Sequence, residues 1–197
     1  MVKLIVLDRD GVINFDSEDY IKSPREWVPI PGSLEAIARL KQAGYRVVVS
    51  TNQSGVARGK FDMMTLNAIH QKMHQGAQKA GGEIDAIFFC PHAAMDDCDC
   101  RKPKAGMLHT IALRFNVSLK GVPTVGDSLR DLQAGFVVGC TPYLVRTGKG
   151  EKTIEKGGLP PGTLTFDNLA AVVDHLLLAP EAAHGNAIAS KDSKKKQ

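Results

Sequence analysis

The chain has 197 residues, 43% of them hydrophobic and 23% charged, with a formal net charge of +4. That is an ordinary globular composition, long enough to bury one good core and best matched to a single domain. No apolar run approaches the ~20 residues of a membrane span, and MVKLIVLDRD meets charge at Asp8 before a secretory segment could form, so a cytoplasmic protein with no membrane partner is expected.

KLIVLD (3–8) reads as a short apolar strand ending on an acid. GSLEAIARLKQA (32–43) places Leu34, Ile37, Ala38 and Leu40 at helical spacing, with Gly44 as the stop. YRVVVST (45–51) is a β-branched buried strand, residues 62–80 a long helix opened by Asp62 as N-cap, and IDAIFFC (84–90) a third strand. Helices over 104–115 and 129–138 alternate with strands GVPTVGD (121–127) and TPYLVR (141–146), and LAAVVDHLLL (169–178) is a closing helix. This order predicts an α/β fold: a doubly wound, Rossmann-like, mostly parallel sheet with helices on both faces, spanning residues 1–180. The connections, including FDSEDYIKSPREWVPIP (15–31), are too short for a second folded unit, so no cap domain is expected. Residues 181–197, EAAHGNAIASKDSKKKQ, hold four lysines and two acids but few large apolar side chains, and read as a disordered basic tail. The tail carries half of the net charge, so the body offers little to nucleic acid.

Ligands of such sheets bind beyond the carboxyl ends of the strands, where Asp8, Thr51, Cys90 and Asp127 all fall. VLDRDGVIN (6–14) puts two carboxylates, Asp8 and Asp10, at one strand end, where they need a compensating cation. STNQSG (50–55) adds hydroxyls and amides able to donate to phosphate oxygens, RKPK supplies Arg101 and Lys102, and GDSLRD (126–131) adds Asp127 and Asp131. Three of the four cysteines lie within residues 90–100, where Cys90, His92, Cys98 and Cys100 form a complete N/S set for tetrahedral zinc. A catalytic zinc keeps a position open for water and this set leaves none, so the zinc is read as structural. It would pin the loop so that Arg101 and Lys102 face the carboxylates. Cys140, in a Gly-rich apolar stretch, is expected to be a buried small hydrophobe. HQKMH (70–74) has the spacing of a zinc-protease helix but carries Gln71 where the general-base Glu belongs, so His70 and His74 are read as solvated helix-face residues. His109 is read as structural within its amphipathic helix.

In combination, and in this order at these strand ends, D-x-D, Ser/Thr, Lys and G-D-x4-D resemble the haloacid dehalogenase superfamily over roughly residues 1–150. The resemblance implies that Asp8 is the nucleophile forming an aspartyl-phosphate and that Asp10 is the acid–base. It implies a Mg2+ on Asp8, Asp127 and the backbone carbonyl of Asp10, with Thr51 and Lys102 holding the phosphoryl oxygens and Asp131 orienting Lys102. Asp10 should then have a raised pKa so as to start protonated.

D-R-D-G with T-N-Q-S-G and C-P-H…C-x-C-R-K-P-K is similar to the zinc-containing branch, whose members act on a heptose bisphosphate or on histidinol phosphate. TNQSGVARGKF (51–61) and LVRTGKG (144–150) resemble the heptose side, as does Ser54 in place of an acid; the five-residue spacer between His92 and Cys98 fits the other. The expected substrate is therefore a small-molecule sugar bisphosphate. Arg101 would hold its second phosphate (Arg58 is the weaker choice), and Asn52, Gln53 and Ser54 would contact the first. The resemblance also places Asp16, Ser17, Glu18 and Asp19 on the sugar. Ser128 stands where relatives often have lysine. Alternatives are a histidinol-phosphate or polynucleotide 3′-phosphatase, and a zinc-loop nucleic-acid binder that would leave Asp8, Asp10 and Asp127 unexplained. A monomer is expected.

Overall fold

A computed structural model describes residues 2–178; the predicted tail at 181–197 lies outside the described residues. Six parallel strands form one sheet in the order β3-β2-β1-β4-β5-β6. They are β1 (Lys3–Leu7), β2 (Tyr45–Asn52), β3 (Ala86–Cys90), β4 (Pro123–Gly126), β5 (Thr141–Val145) and β6 (Leu164–Phe166). The helices are α1 (Ser33–Gln42), α2 (Met63–Lys79), α3 (Gly106–Phe115), α4 (Leu129–Val137), α5 (Gly150–Lys156) and α6 (Leu169–Leu178), with a 3-10 turn at Ala94–Asp96. This is the doubly wound α/β sheet expected, and the described residues form no cap domain.

Period-two alternation divides β1 between two cores. Ile5 and Leu7 join α1, α2 and α6 through Ile37, Leu40, Ile69, Met73, Val172 and Val173, while Leu4 and Val6 join α3 and α4 through Leu108, Ile111 and Ala134. Both faces are therefore covered, which is why the strands read as continuous apolar runs. Asp62 caps α2 as expected, its side chain accepting from the Thr65 N–H at 2.7 Å. Cys140 is buried in the second core. His109 is exposed on α3, opposite the buried Met107, Leu108 and Ile111, and so packs into neither core.

Two elements escaped the sequence pattern, α5 and β6. GEKTIEK is only seven residues long, and LTF three residues with two exposed, so neither has enough periodic apolar signal to declare itself. The omission matters because α5 carries residues of the site. The strand order reverses between β1 and β4, and the acids that follow those strands, Asp8 and Asp127, flank this switch point.

Candidate active site

Asp8 leaves the end of β1, its N–H donating to the Val125 carbonyl of β4 at 2.9 Å, which fixes it beside the neighbouring strand end. Asp127 follows β4, and Asp131 stands in the first turn of α4. One carboxylate oxygen from each of these three buried acids lies within 4.8 Å of the others. Lys102 enters between them: its Nζ is 3.0 Å from Asp8, 2.5 Å from Asp131 and 2.7 Å from the Ser50 carbonyl. Asp131 also accepts from the Ser128 N–H at 3.1 Å, so a capping carboxylate of α4 doubles as the anchor of Lys102. Asp131 is 2% exposed, so it is not a solvated helix-start acid.

Close approach to Asp127 requires glycine at two places. A Cβ on Gly11 would stand 2.1 Å from Asp127 Oδ2, and one on Gly148 would stand 2.2 Å from it, both glycines having positive φ. Asp127 Oδ2 accepts the Lys149 N–H at 2.8 Å, and Thr153 Oγ1 donates to the Asp127 carbonyl at 2.9 Å.

Burial and mutual repulsion dominate the electrostatics. Burial, then Asp131, push Asp8 up to about 6 against the opposing pull of Lys102. Burial, then Asp131 and Asp8, push Asp127 up to about 8. Burial alone would discharge Lys102, but Asp131 and Asp8 outweigh it and hold its pKa above the ordinary value. With a single ammonium among three carboxylates, the Asp8–Asp127 side keeps excess negative charge and oxygen-only donors, which fits a hard divalent cation such as Mg2+.

Asp10 contradicts the expectation of a raised pKa. Burial acts in that direction, but Arg9 and hydrogen bonds from Asn14 and Gln53 together hold the carboxyl below its ordinary range. Arg9 grips both oxygens (Nε to Oδ1 at 3.0 Å, Nη2 to Oδ2 at 2.9 Å). Asn14 Nδ2 adds a bond to Oδ1 at 2.9 Å and Gln53 Nε2 one to Oδ2 at 2.8 Å. Arg9, which stands between Asp8 and Asp10 in the chain, turns its charge onto Asp10 and outweighs the neighbouring acids. His70 also departs from expectation: it is 6% exposed rather than solvated, sits near Phe89 at a 5.7 Å ring separation, and meets Arg9 Nη1 at 3.4 Å through Nε2. Burial first, then Arg9, push its imidazole down to about 3, so it is neutral.

Thr51 is buried at the end of β2 and accepts from Gln53 Nε2 at 3.0 Å. Asn52 braces the basic loop, its Oδ1 accepting the Lys102 N–H at 3.1 Å and its Nδ2 donating to the Lys102 carbonyl at 3.0 Å. The Ser54 carbonyl accepts the Arg58 N–H at 3.1 Å, and the Arg58 side chain is exposed. Asp16 and Glu18 line a cavity of about 770 Å³ together with Ser128, Arg130, Lys149 and Lys152. Lys149 Nζ pairs with Asp16, while Asp19 pairs with Lys22 and Ser17 Oγ accepts the Asp19 N–H at 3.2 Å. Arg101, half-buried, donates to the His92 carbonyl at 3.2 Å. Arg9, Arg130 and Lys149 had no assigned role; for Lys149 a signal existed in the T-G-K-G of residues 147–150.

Cys90, His92, Cys98 and Cys100 converge as expected. Their Sγ and Nδ1 atoms are separated by 3.3 to 3.7 Å along four edges. A tetrahedron with ordinary Zn–S and Zn–N bonds has edges of roughly 3.5–3.8 Å. The donor set thus fits zinc with every position filled by protein. Gln53 N–H donates to the Cys90 carbonyl at 2.7 Å, which ties the thiol loop to the Asp10 cage.

The fold and this carboxylate–lysine cluster define a HAD-like hydrolase domain. Residues 99–172 match the HAD-hydrolase-like family model, and residues 3–129 match that of polynucleotide kinase 3 phosphatase. The chain is 60% identical over 176 residues (89% of this chain, 98% of the relative) to the D-glycero-beta-D-manno-heptose-1,7-bisphosphate 7-phosphatase of Bordetella bronchiseptica. It is 56% identical to the enzyme of that name from Pseudomonas aeruginosa, covering 88% of this chain and 97% of the relative. The crystal structure of the B. bronchiseptica D,D-heptose 1,7-bisphosphate phosphatase, complexed with magnesium and phosphate, superposes with a TM-score of 0.88 at 60% identity, over 89% of this chain and 98% of that one. The chain belongs to the D-glycero-beta-D-manno-heptose-1,7-bisphosphate 7-phosphatase family of the HAD-like hydrolases. No helix among the described residues is long and apolar enough to cross a membrane.

Proposed function

We propose that this protein removes the 7-phosphate from D-glycero-β-D-manno-heptose 1,7-bisphosphate, giving the 1-phosphate for heptose-nucleotide and lipopolysaccharide core synthesis. The observation that carries this reading is the convergence of Asp8, Asp127 and Lys102 in a chain 60% identical to a phosphatase of that name. Asp8 attacks phosphorus, the bond from phosphorus to the C7 oxygen breaks, and the leaving alkoxide takes a proton from Asp10. Asp10 then removes a proton from water, which attacks the aspartyl-phosphate and releases inorganic phosphate. Bound at Asp8, Asp127 and the Asp10 carbonyl, Mg2+ would supply the positive charge that lets a carboxylate approach a phosphate. Lys102 and Thr51 hold the phosphoryl oxygens.

The cage around Asp10 favours the ionised form that deprotonates water. The incoming phosphate, a second negative charge beside it, must raise its pKa before it can act as the acid. A zinc at Cys90, His92, Cys98 and Cys100 has a structural part: it fixes the loop that delivers Arg101 and Lys102. For the second phosphate the sequence favours Arg101, while the cavity favours Arg130 and Lys149, whose charges line it beside Ser128. The protein is proposed to act as a cytoplasmic monomer on this small molecule.

The test is kcat/KM for the heptose bisphosphate against histidinol phosphate at saturating Mg2+, with an expected preference of about 100-fold or more for the former. Equal values, or the reverse order, would overturn the substrate assignment. Of Arg101→Ala and Arg130→Ala, the one that removes the second phosphate's partner should raise KM for the bisphosphate about tenfold while sparing a monophosphate. The variant that does so identifies the second phosphate's partner.

A further inference from the structure

Arg9 is 0% exposed, so every N–H of its guanidinium must find a partner inside the protein. Two of its contacts go to Asp10 and one to Gln53 Oε1 at 3.1 Å; the remaining nitrogen, Nη1, faces His70 Nε2 at 3.4 Å. Because Nη1 can only donate, Nε2 must accept, which puts the imidazole proton on Nδ1. His70 comes from the middle of α2, whose other buried residues are Leu66, Ile69, Met73 and Ala77. It is thus the one polar member of a helix stripe otherwise built for packing, and its ring nitrogen is turned onto the arginine that grips the catalytic carboxyl.

Asp10 is fixed from three directions, and each gripping side chain has its own support. Asn14 Oδ1 accepts from Trp27 Nε1 at 3.0 Å, Gln53 is tied to Thr51 and to the Cys90 carbonyl, and Arg9 is held by Gln53 and His70. Without His70 the outer nitrogen of this fully buried fork loses its acceptor, and the guanidinium can tilt. A tilt changes the direction of both bonds to Asp10, and proton transfer tolerates little misplacement.

Resting on the acid–base role given above to Asp10, we propose that His70 is a positioning residue for this reaction, acting through Arg9 to aim the Asp10 carboxyl at the leaving oxygen.

The experiment uses the full chain loaded with Mg2+ and zinc and compares two substrates: the heptose bisphosphate, whose primary alkoxide needs a proton to leave, and p-nitrophenyl phosphate, whose phenolate leaves without one. kcat/KM is read because it covers only the steps through departure of the leaving group. His70→Leu should lower kcat/KM for the alkyl phosphate about tenfold and for the aryl phosphate less than about twofold. His70→Gln, which returns an acceptor near the Nε2 position, should recover most of the loss. Asp10→Asn is the reference for complete loss of the acid. Equal losses on both substrates in His70→Leu, with Asp10→Asn still selective for the leaving group, overturn the positioning role and leave the acid–base reading standing. Equal losses in Asp10→Asn itself overturn that reading, and the proposal with it. If His70→Leu does not fold, Arg9→Lys carries the test: it keeps the charge but not the fork, and the same dependence on leaving group is expected.

Discussion

The two ligand clusters among the described residues are built in opposite ways. Asp8, Asp127 and Asp131 come from two strand ends and a helix start and are all buried, with Asp8 and Asp131 sharing one lysine. Cys90 ends β3 while His92, Cys98 and Cys100 follow in one short loop, and of the four only Cys90 is buried. In the first, the sheet forces like charges together, and the resulting excess negative charge suits a hard divalent cation. In the second, the loop has little core of its own, and the ligands themselves would supply the cohesion. A hard, unsaturated oxygen site suits reaction; a soft, saturated one suits bracing. The Gln53–Cys90 backbone contact and the bonds of the Asn52 side chain to the Lys102 backbone join the two clusters.

The largest effect that would sharpen this contrast is Asp8→Asn. Turnover of the bisphosphate should fall by about 10⁴-fold or more, while zinc content and melting temperature stay at or above the wild-type values, because a buried charge is removed from a crowded site. Steady-state turnover at a few per cent of wild type would break the nucleophile assignment.

Cys98→Ser is expected to be smaller but broader. Zinc content measured by mass spectrometry should drop below one ion per chain, the melting temperature should fall, and kcat/KM should fall about tenfold as the loop carrying Lys102 loosens. If activity vanishes while the melting temperature holds, the thiol cluster is not a brace.

The smallest effect is on stability. Asp8 and Asp127 have folded-state pKa values raised to about 6 and about 8 from 3.8. The folded chain therefore binds more protons than the unfolded one in that window, and their stabilising contribution is lost as pH rises from about 4 to about 8. Asp10 and Asp131, whose values are lowered, act the other way below that window, and His70, lowered from 6.5 to about 3, offsets part of the decline up to about pH 6.5. Without divalent metal the melting temperature should decline between pH 5 and pH 8, as read by thermal scans, and Mg2+ should restore more of it at pH 8 than at pH 5. A metal-free melting temperature that rises with pH would show that these carboxylates do not crowd as described.

Much of the architecture was legible along the chain. The apolar runs gave β1 to β5, the helical spacing gave α1 to α4 and α6, and the placement of acids and hydroxyls just after the strands marked the reactive edge. These signals survive in one dimension because a strand buried on both faces and a helix with a packed stripe impose their period locally. The thiol set was equally plain, its ligands being neighbours in sequence. What escaped was either too short to show a period, as in α5 and β6, or joined residues far apart, as in Arg9 with His70 or Asp16 with Lys149.

The amino-acid order by itself determined the parallel sheet, the strand-end acids and the four soft ligands, because each depends on spacing within a few residues. Only the tertiary structure decided how those acids are charged: that Asp8 and Asp127 are driven up, that Asp10 is held down by a buried arginine, and that His70 is part of that clamp. The reason is that a carboxyl's proton affinity is set by burial and by every charge within a few ångströms, and those neighbours are chosen by the fold rather than by adjacency in the chain.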